Sequence, residues 1–269
     1  MRCAVLGDPI AHSLSPVLHR AGYDAVGLDW TYEAHRVAEG GLADFVATLD
    51  EAWCGLSLTM PLKREALDLA DRVSDAARLA GAANTLLLVD GAVHVDNTDL
   101  PGAVSAIRER FESSVTSASI LGAGATAAST GLALAELGVT TLQVHARNAE
   151  RAAPTVAAIG AHPTAPEVTV RGLAEATTGE VVVSTVPAGA QDAATVERTA
   201  GAAVVFEVIY DPWPTPLAAA ATQRGQVLVT GLDLLVHQAA LQFTAFTGHA
   251  APLAEMRAAG EAALVARST

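Results

Sequence analysis

Ser119-Ile120-Leu121-Gly122-Ala123-Gly124-Ala125-Thr126-Ala127 is the stretch whose reading decides the fold. A short apolar run meets a glycine turn and passes into an alanine- and leucine-rich segment, which reads as strand, tight turn and helix. Gly122 permits the turn, Gly124 lets backbone approach a pyrophosphate, and Ala127 lets helix and strand pack closely, while the helix N-terminus favours the anion. Alone the pattern is weak. The strand before it, the helix after it and a further apolar run at 141–145 make it a dinucleotide fingerprint. An acidic residue at the end of that next strand would hold a ribose 2′-hydroxyl. The chain instead carries Ala146-Arg147-Asn148, with Arg151 a turn later, and arginine suits a bidentate grip on a 2′-phosphate. The expected cofactor is therefore NADP rather than NAD.

Outward from this unit, short apolar runs alternate with helix-period segments, which predicts the α/β class with mostly parallel sheets in two domains. Strands are expected near 2–6, 30–36, 53–58 and 85–89, with Asp90-Gly91 as a hairpin turn into 92–95, and helices notably over 16–26 and 41–51. After Asp96-Asn97-Thr98-Asp99, a helix over about 101–111 leads to strands at 117–121, 141–145, 181–184, 204–208 and 226–229. The tail is helical over 232–246 and 252–265 with no strand between, so it is expected to cover the first sheet. This predicts a substrate domain at 1–98 plus 233–269, a Rossmann-type domain at 99–232, and a cleft between them.

Composition narrows the function. Of 269 residues, 51% are apolar and 17% charged, ample for packed cores. The net charge of −13 and pI near 4.9 argue against nucleic acid and anionic membranes as partners. Cys3 and Cys54 form no CxxC, too few for a disulfide framework or a thiolate metal site, and fit a reducing, cytoplasmic setting. The eight histidines show no HExxH or HxH spacing, so no metal is expected. Residues 1–8 are too short an apolar run for an export signal, and 113–135, though uncharged, is broken by Gly122, Gly124 and Gly131.

Of the 16 basic residues, 15 are arginine and one is Lys63. A position needing a compact, deprotonatable ammonium would resist exchange of Lys for Arg. Lys63 ends Ser57-Leu58-Thr59-Met60-Pro61-Leu62-Lys63 at an expected helix start, where a cation opposes the dipole; that is odd for structure and sensible for acid/base chemistry. After the first strand comes Gly7-Asp8-Pro9-Ile10-Ala11-His12-Ser13-Leu14-Ser15-Pro16, in which Ser15 reads as a helix cap and Ser13 as a hydroxyl with no capping duty. Asn84 ends Gly81-Ala82-Ala83-Asn84-Thr85 at another strand edge, and Asp99 lies where the chain leaves the first domain. Hydroxyls, an amide, a carboxylate and a lysine converging on one cleft suit a small polyhydroxylated acid.

Together with Asn97-Thr98-Asp99-x-x-Gly102, Tyr210-Asp211-Pro212-x-x-Thr215-Pro216-Leu217 and Gly231-x-x-x-Leu235-x-x-Gln238, these motifs resemble the shikimate dehydrogenase family, collinearly from Gly7 to Gly248. The resemblance implies NADPH-dependent, reversible reduction of 3-dehydroshikimate to shikimate, within aromatic amino acid (chorismate) biosynthesis. It implies Lys63 and Asp99 as the catalytic pair, and Ser13, Ser15, Thr59, Asn84, Tyr210 and Gln238 beside them around the substrate. For the cofactor it implies Gly122, Ala123, Gly124, Ala125, Thr126, Ala127, Arg147, Asn148, Arg151, Thr185, Val208, Gly231 and Leu234. A monomer or homodimer is expected.

Four positions depart from the family pattern. Ser57 replaces a customary asparagine, putting a shorter hydroxyl at that contact. Ala146 and Asn148 flank Arg147 where asparagine and threonine are common, and Leu234 replaces a methionine. Quinate or an aminoshikimate remain alternative substrates, and a non-catalytic sensor of NADP or shikimate is the alternative outside enzymes.

Overall fold

The first apolar run becomes β1 (Arg2–Gly7), buried from Cys3 to Gly7 as an interior strand must be. It is followed by α1 (Ser15–Val26), β2 (Thr31–Arg36), α2 (Leu42–Val46), β3 (Trp53–Leu58), β4 (Arg72–Val73), α3 (Asp75–Ala80), β5 (Thr85–Val89) and β6 (Ala92–Asp96). The computed structural model describes residues 1–268 and divides into two compact units, Met1–Thr98 with the chain from Leu235 onward, and Asp99–Leu234.

Among the described residues, the first unit holds one six-stranded sheet of order β2-β1-β3-β5-β6-β4. Strand β5 runs antiparallel to β3 and β6 and turns into β6 through Asp90 and Gly91, whose φ values of 51° and 78° suit a type I′ turn. This reversal organises the site. Thr85 pairs with Ser57 on one side and with Asp96 on the other, while Leu58 pairs with Leu6. The residues just before β5 and just after β1, β3 and β6 therefore emerge at the same end of the sheet. Beneath them Leu6, Leu42, Leu56, Leu58, Leu62 and Leu86 pack into the core.

Two expectations fail here. The helix expected over 41–51 shrinks to α2, because Thr48 donates its hydroxyl to the Phe45 carbonyl and the Asp50 carboxylate accepts the Ala52 N–H, both competing with helical hydrogen bonds. Strand β4 was not foreseen, since two residues leave no alternation to read.

The second unit runs through α4 (Asp99–Arg110), β7 (Ser117–Leu121), α5 (Ala125–Glu136), β8 (Thr141–Ala146), α6 (Ala149–Gly160), β9 (Glu167–Gly172), β10 (Val181–Ser184), α7 (Ala193–Arg198), β11 (Val204–Glu207), α8 (Pro216–Arg224) and β12 (Val227–Thr230). Its strands pair in parallel in the order β12-β11-β10-β7-β8-β9. Counted from β9 this is 3-2-1-4-5-6, the doubly wound Rossmann arrangement, with the glycine-bearing strand β7 beside the point where the order reverses. Strands β10 and β11 are buried along their whole length, as interior parallel strands require. Edge strand β9 was missed, although Glu167-Val168-Thr169-Val170-Arg171 alternates with period two.

The tail forms α9 (Gly231–Thr247) and α10 (Leu253–Ser268), and α10 packs on α1 of the first unit. Helix α9 opens with a reciprocal cap. Thr230 Oγ1 accepts the Asp233 N–H at 3.1 Å, while the Asp233 carboxylate accepts the Thr230 N–H at 2.9 Å. No helix among the described residues is long and apolar enough to cross a membrane.

Candidate active site

Five separated stretches supply polar groups to the sheet end of the first unit. In the loop after β1, the Ser13 hydroxyl accepts the Ser15 N–H at 3.3 Å. Ser15 is not the helix cap that its position suggested. Leu14 already has helical angles (φ −91°, ψ −7°) and occupies the cap, so helical geometry begins one residue early and Ser15 falls inside it. The buried Ser15 side chain instead stabilises the Tyr32 hydroxyl oxygen.

After β3, the Thr59 N–H donates to the Leu6 carbonyl at 2.9 Å, the Leu62 N–H to the Thr59 carbonyl at 2.9 Å, and the Ala83 N–H to the Lys63 carbonyl at 2.7 Å. Thr59 and half-buried Lys63 are thus held between β1 and the approach to β5. The helix start expected at Lys63 is absent. These residues form turns followed by a single 3-10 turn, Glu65–Leu67, whose Glu65 carboxylate is occupied by the N–H groups of Gly40 and Leu42, so no α-helical dipole opposes the ammonium.

Asn84 is 2% exposed and lies at the centre of a polar network. Its Oδ1 accepts the Thr98 N–H at 2.8 Å and the Thr85 hydroxyl at 2.9 Å, and its Nδ2 donates to Thr98 Oγ1 at 2.9 Å and Gln238 Oε1 at 3.1 Å. Gln238, on α9, donates its other end to the Leu235 carbonyl at 3.0 Å. One turn further, Gln242 donates to the Asn84 carbonyl at 2.9 Å and to Thr85 Oγ1 at 3.0 Å, and accepts the Ser57 hydroxyl at 2.7 Å. Ser57 in turn accepts the Tyr32 hydroxyl at 2.5 Å. Sequence reading missed Tyr32, Thr85 and Gln242. The one available signal was the four-residue step from Gln238 to Gln242, which puts both amides on one helix face. Ser57, read as a shortened contact, is 4% exposed and engaged within this network on both its hydrogen-bonding sides.

In the second unit, Gly122 has φ +114°, and a Cβ there would strike the Thr185 hydroxyl, so the turn admits glycine alone without strain. Thr185 is held by its hydroxyl and its N–H, both donating to the Leu121 carbonyl, at 3.0 and 2.9 Å. Gly124 has a negative φ of −92°, and a Cβ there would meet nothing within 4 Å. Helix α5 starts at Gly124 with no side-chain cap and no acidic residue in its first turn, whereas α3, α6, α7 and α8 are capped by Ser74, Asn148, Asp192 and Thr215. Open space over Gly124 and the uncapped amides of Ala125, Thr126 and Ala127 fit a dinucleotide pyrophosphate. Ala123 contributes its carbonyl to structure, accepting the Thr155 hydroxyl at 2.9 Å.

Exposed Arg147, Asn148 and Arg151 follow β8, the neighbour of β7. Asn148 accepts the Arg151 N–H at 3.1 Å and caps α6, a duty its sequence reading had not included. Val208 and Tyr210 follow β11, on a loop fixed by Glu207, which sequence reading missed. The Glu207 carboxylate accepts Gln191 Nε2 at 2.6 Å, the Thr215 hydroxyl at 3.0 Å and the Ile209 N–H at 3.0 Å. Its burial pushes the carboxyl up to about 7. Gly231 and Leu234 lie in the first turn of α9, both buried. Asp99 is the first residue of α4, where a carboxylate complements the helix dipole, and it is 6% exposed. No group of His, Cys, Asp or Glu among the described residues can hold a metal ion.

The chain is similar to known proteins along nearly its whole length. Residues 5–86 match the family described as shikimate dehydrogenase substrate binding domain, and residues 231–259 the shikimate 5'-dehydrogenase C-terminal domain. Shikimate dehydrogenase (NADP(+)) of Maricaulis maris (strain MCS10) is 36% identical over 261 residues, covering 94% of this chain and 92% of that protein. The crystal structure of Mycobacterium tuberculosis shikimate dehydrogenase superposes with a TM-score of 0.87 at 41% identity, covering 97% of this chain and 99% of that one. Shikimate 5-dehydrogenase from Thermus thermophilus, solved in complex with NADP(H) and shikimate, gives a TM-score of 0.86 at 29% identity over 98% and 99% of the two chains. With its mixed sheet, its doubly wound sheet and these relatives along nearly its whole length, the chain belongs to the shikimate dehydrogenase family.

Proposed function

We propose that this chain catalyses the reversible, NADP-dependent reduction of 3-dehydroshikimate to shikimate, with Lys63 and Asp99 as the catalytic pair. The observation that carries the reading is that Ser13, Thr59 and Lys63 follow the parallel strands β1 and β3, while antiparallel β5 starts at that same sheet end and brings Asn84, with Gln238 bonded to it, beside them. Those groups offer hydroxyls, amides and one cation, which suits a hydroxylated ring carrying a carboxylate. When bound, NADPH supplies the hydride that reaches the carbonyl carbon. Lys63 gives its proton to the carbonyl oxygen in reduction and takes it back in oxidation, so atoms and charge balance in both directions. Asp99 accepts the substrate hydroxyl and fixes its orientation. Acid/base action of this kind contributes roughly 10²- to 10⁴-fold.

The cofactor half of the reading rests on Gly122 to Ala127, with Thr185, Val208, Gly231 and Leu234 around the nicotinamide end. Arg147, assisted by Arg151 and Asn148, is assigned to the 2′-phosphate, which favours NADP over NAD. The same reading places the protein in the cytoplasm as a monomer or homodimer acting on small molecules, and the free thiols of Cys3 and Cys54 suit a reducing compartment. A steady-state panel of shikimate, quinate and aminoshikimate, each with NADP and with NAD, tests it. The highest kcat/KM is expected for shikimate with NADP. Preference for quinate with NAD, or no turnover of any pair, would overturn the assignment.

A further inference from the structure

We infer that Gln242, Thr85 and Ser57 are positioning residues that lock the Asn84 amide in one orientation for the substrate; this rests on the functional reading above. The network has a direction that can be traced from groups with only one role. A backbone N–H only donates, so Thr98 N–H at 2.8 Å makes the facing atom of Asn84 its oxygen and turns Nδ2 toward Gln238. A backbone carbonyl only accepts, so the Asn84 carbonyl at 2.9 Å makes the facing atom of Gln242 its nitrogen and turns Oε1 toward Ser57.

Thr85 joins the two amides. Its oxygen accepts from Gln242 Nε2 and its proton goes to Asn84 Oδ1, so a flip of either amide would set like groups against each other. The chain continues outward as Tyr32 hydroxyl to Ser57 to Gln242 Oε1, each hydroxyl donating onward. Gln242, Thr85 and Ser57 are 1%, 0% and 4% exposed, and their hydrogen-bonding groups are turned to one another, to Asn84 and to Tyr32. Burying this many polar groups is costly compared with apolar packing of α9 on the sheet, and the paired amides and hydroxyls offset that cost only when every member is aligned. What alignment secures is the direction of Asn84 and, through it, of Gln238. Without Thr85 and Gln242, Asn84 would keep Thr98 and Gln238 as partners and would turn about them, so a site built to match substrate hydroxyls would lose its sharp direction.

Two near-isosteric variants, Gln242→Met and Thr85→Val, test this. Each is expected to raise KM for shikimate about tenfold or more, with kcat changed only a few-fold and KM for NADP within about twofold. A purely structural role would lower the melting temperature without singling out one substrate. The Asn84 side-chain amide protons, followed by NMR without any ligand, read the orientation directly. They are expected to exchange slowly in the wild-type protein and at least about tenfold faster in both variants. Fast exchange in the wild type, which needs no variant to fold, overturns the inference, as does unchanged exchange in a folded Thr85→Val. A wild-type protein that ignores shikimate yet shows slow Asn84 exchange, released in the variants, would sink the functional reading and leave the positioning role standing.

Discussion

The candidate residues of the two units are built from different material. In the first unit the candidate contacts are side chains, Ser13, Thr59, Lys63, Asn84 and Gln238, drawn from four separate stretches, with Asn84 and Gln238 hydrogen-bonded to each other. In the second unit the main candidate contact is one continuous backbone turn, Gly122 to Ala127, in which side chains matter mostly by being absent. The difference teaches where each half is vulnerable. Side-chain donors can be deleted singly with the fold intact, whereas backbone donors are reached only through the residues that shape or crowd them. The buried titratable groups differ as well. His19 in the first unit is held down to about 4, and Glu207 in the second is held up to about 7, each by burial that disfavours its charge.

The largest effect is expected where one side chain performs the chemistry. Asp99→Asn and Lys63→Arg should each lower kcat by roughly 10²- to 10⁴-fold with NADP affinity nearly unchanged, since guanidinium does not give up its proton in this range. Tight-binding titration of the cofactor beside steady-state kinetics checks this. Near-normal turnover in both variants would erase the side-chain half of the contrast.

Next comes pH. His19 binds fewer protons folded than unfolded between pH about 4 and 6.5, so its contribution to stability is present above that window and lost on acidification through it. Glu207 binds more protons folded than unfolded between 4.5 and about 7, so its contribution is present below that window and lost as pH rises through it. Each amounts to about 3 kcal/mol across its window. Urea unfolding at pH 5 and pH 8 is expected to show Glu207→Gln gaining relative to wild type at the higher pH and His19→Phe gaining at the lower. The same sign for both would mean that burial is not what separates the two groups.

Arg147→Ala is expected to weaken NADP by about 1.5–3 kcal/mol, roughly ten- to a hundredfold, and to leave NAD nearly unaffected. Equal losses for both cofactors would assign the arginine to the fold or the pyrophosphate. The smallest effect separates shape from fold within the glycine turn. Gly124→Ala places a methyl group in open space at a negative φ of −92°, so melting should be unchanged while KM for NADP rises about tenfold. Gly122→Ala, at φ +114° and against Thr185, should also lower stability by about 1–3 kcal/mol. If both alanines behaved alike, the turn would not be a phosphate cradle.

From sequence alone came the α/β class, most strands, the hairpin at Asp90-Gly91, the glycine turn and the candidate contacts. These are features whose physical cause is local: period-two and period-3.6 burial, glycine at positive φ, and a backbone that must approach a phosphate. Edge strand β9 and the shortened α2 escaped because tertiary pairing and side-chain competition for backbone groups decided them. Ser15 looked like a cap because capping is a local rule, and only the observed helical angles of Leu14 moved it inside the helix. Tertiary structure alone decided the company Asn84 keeps. Tyr32, Ser57, Thr98 and Gln242 lie far from Asn84 and from one another along the chain and join its network because β5 runs antiparallel to β3 and α9 crosses its end. A hydrogen bond between residues 185 positions apart, as between Ser57 and Gln242, has no local cause, so nothing short of the folded chain reveals it.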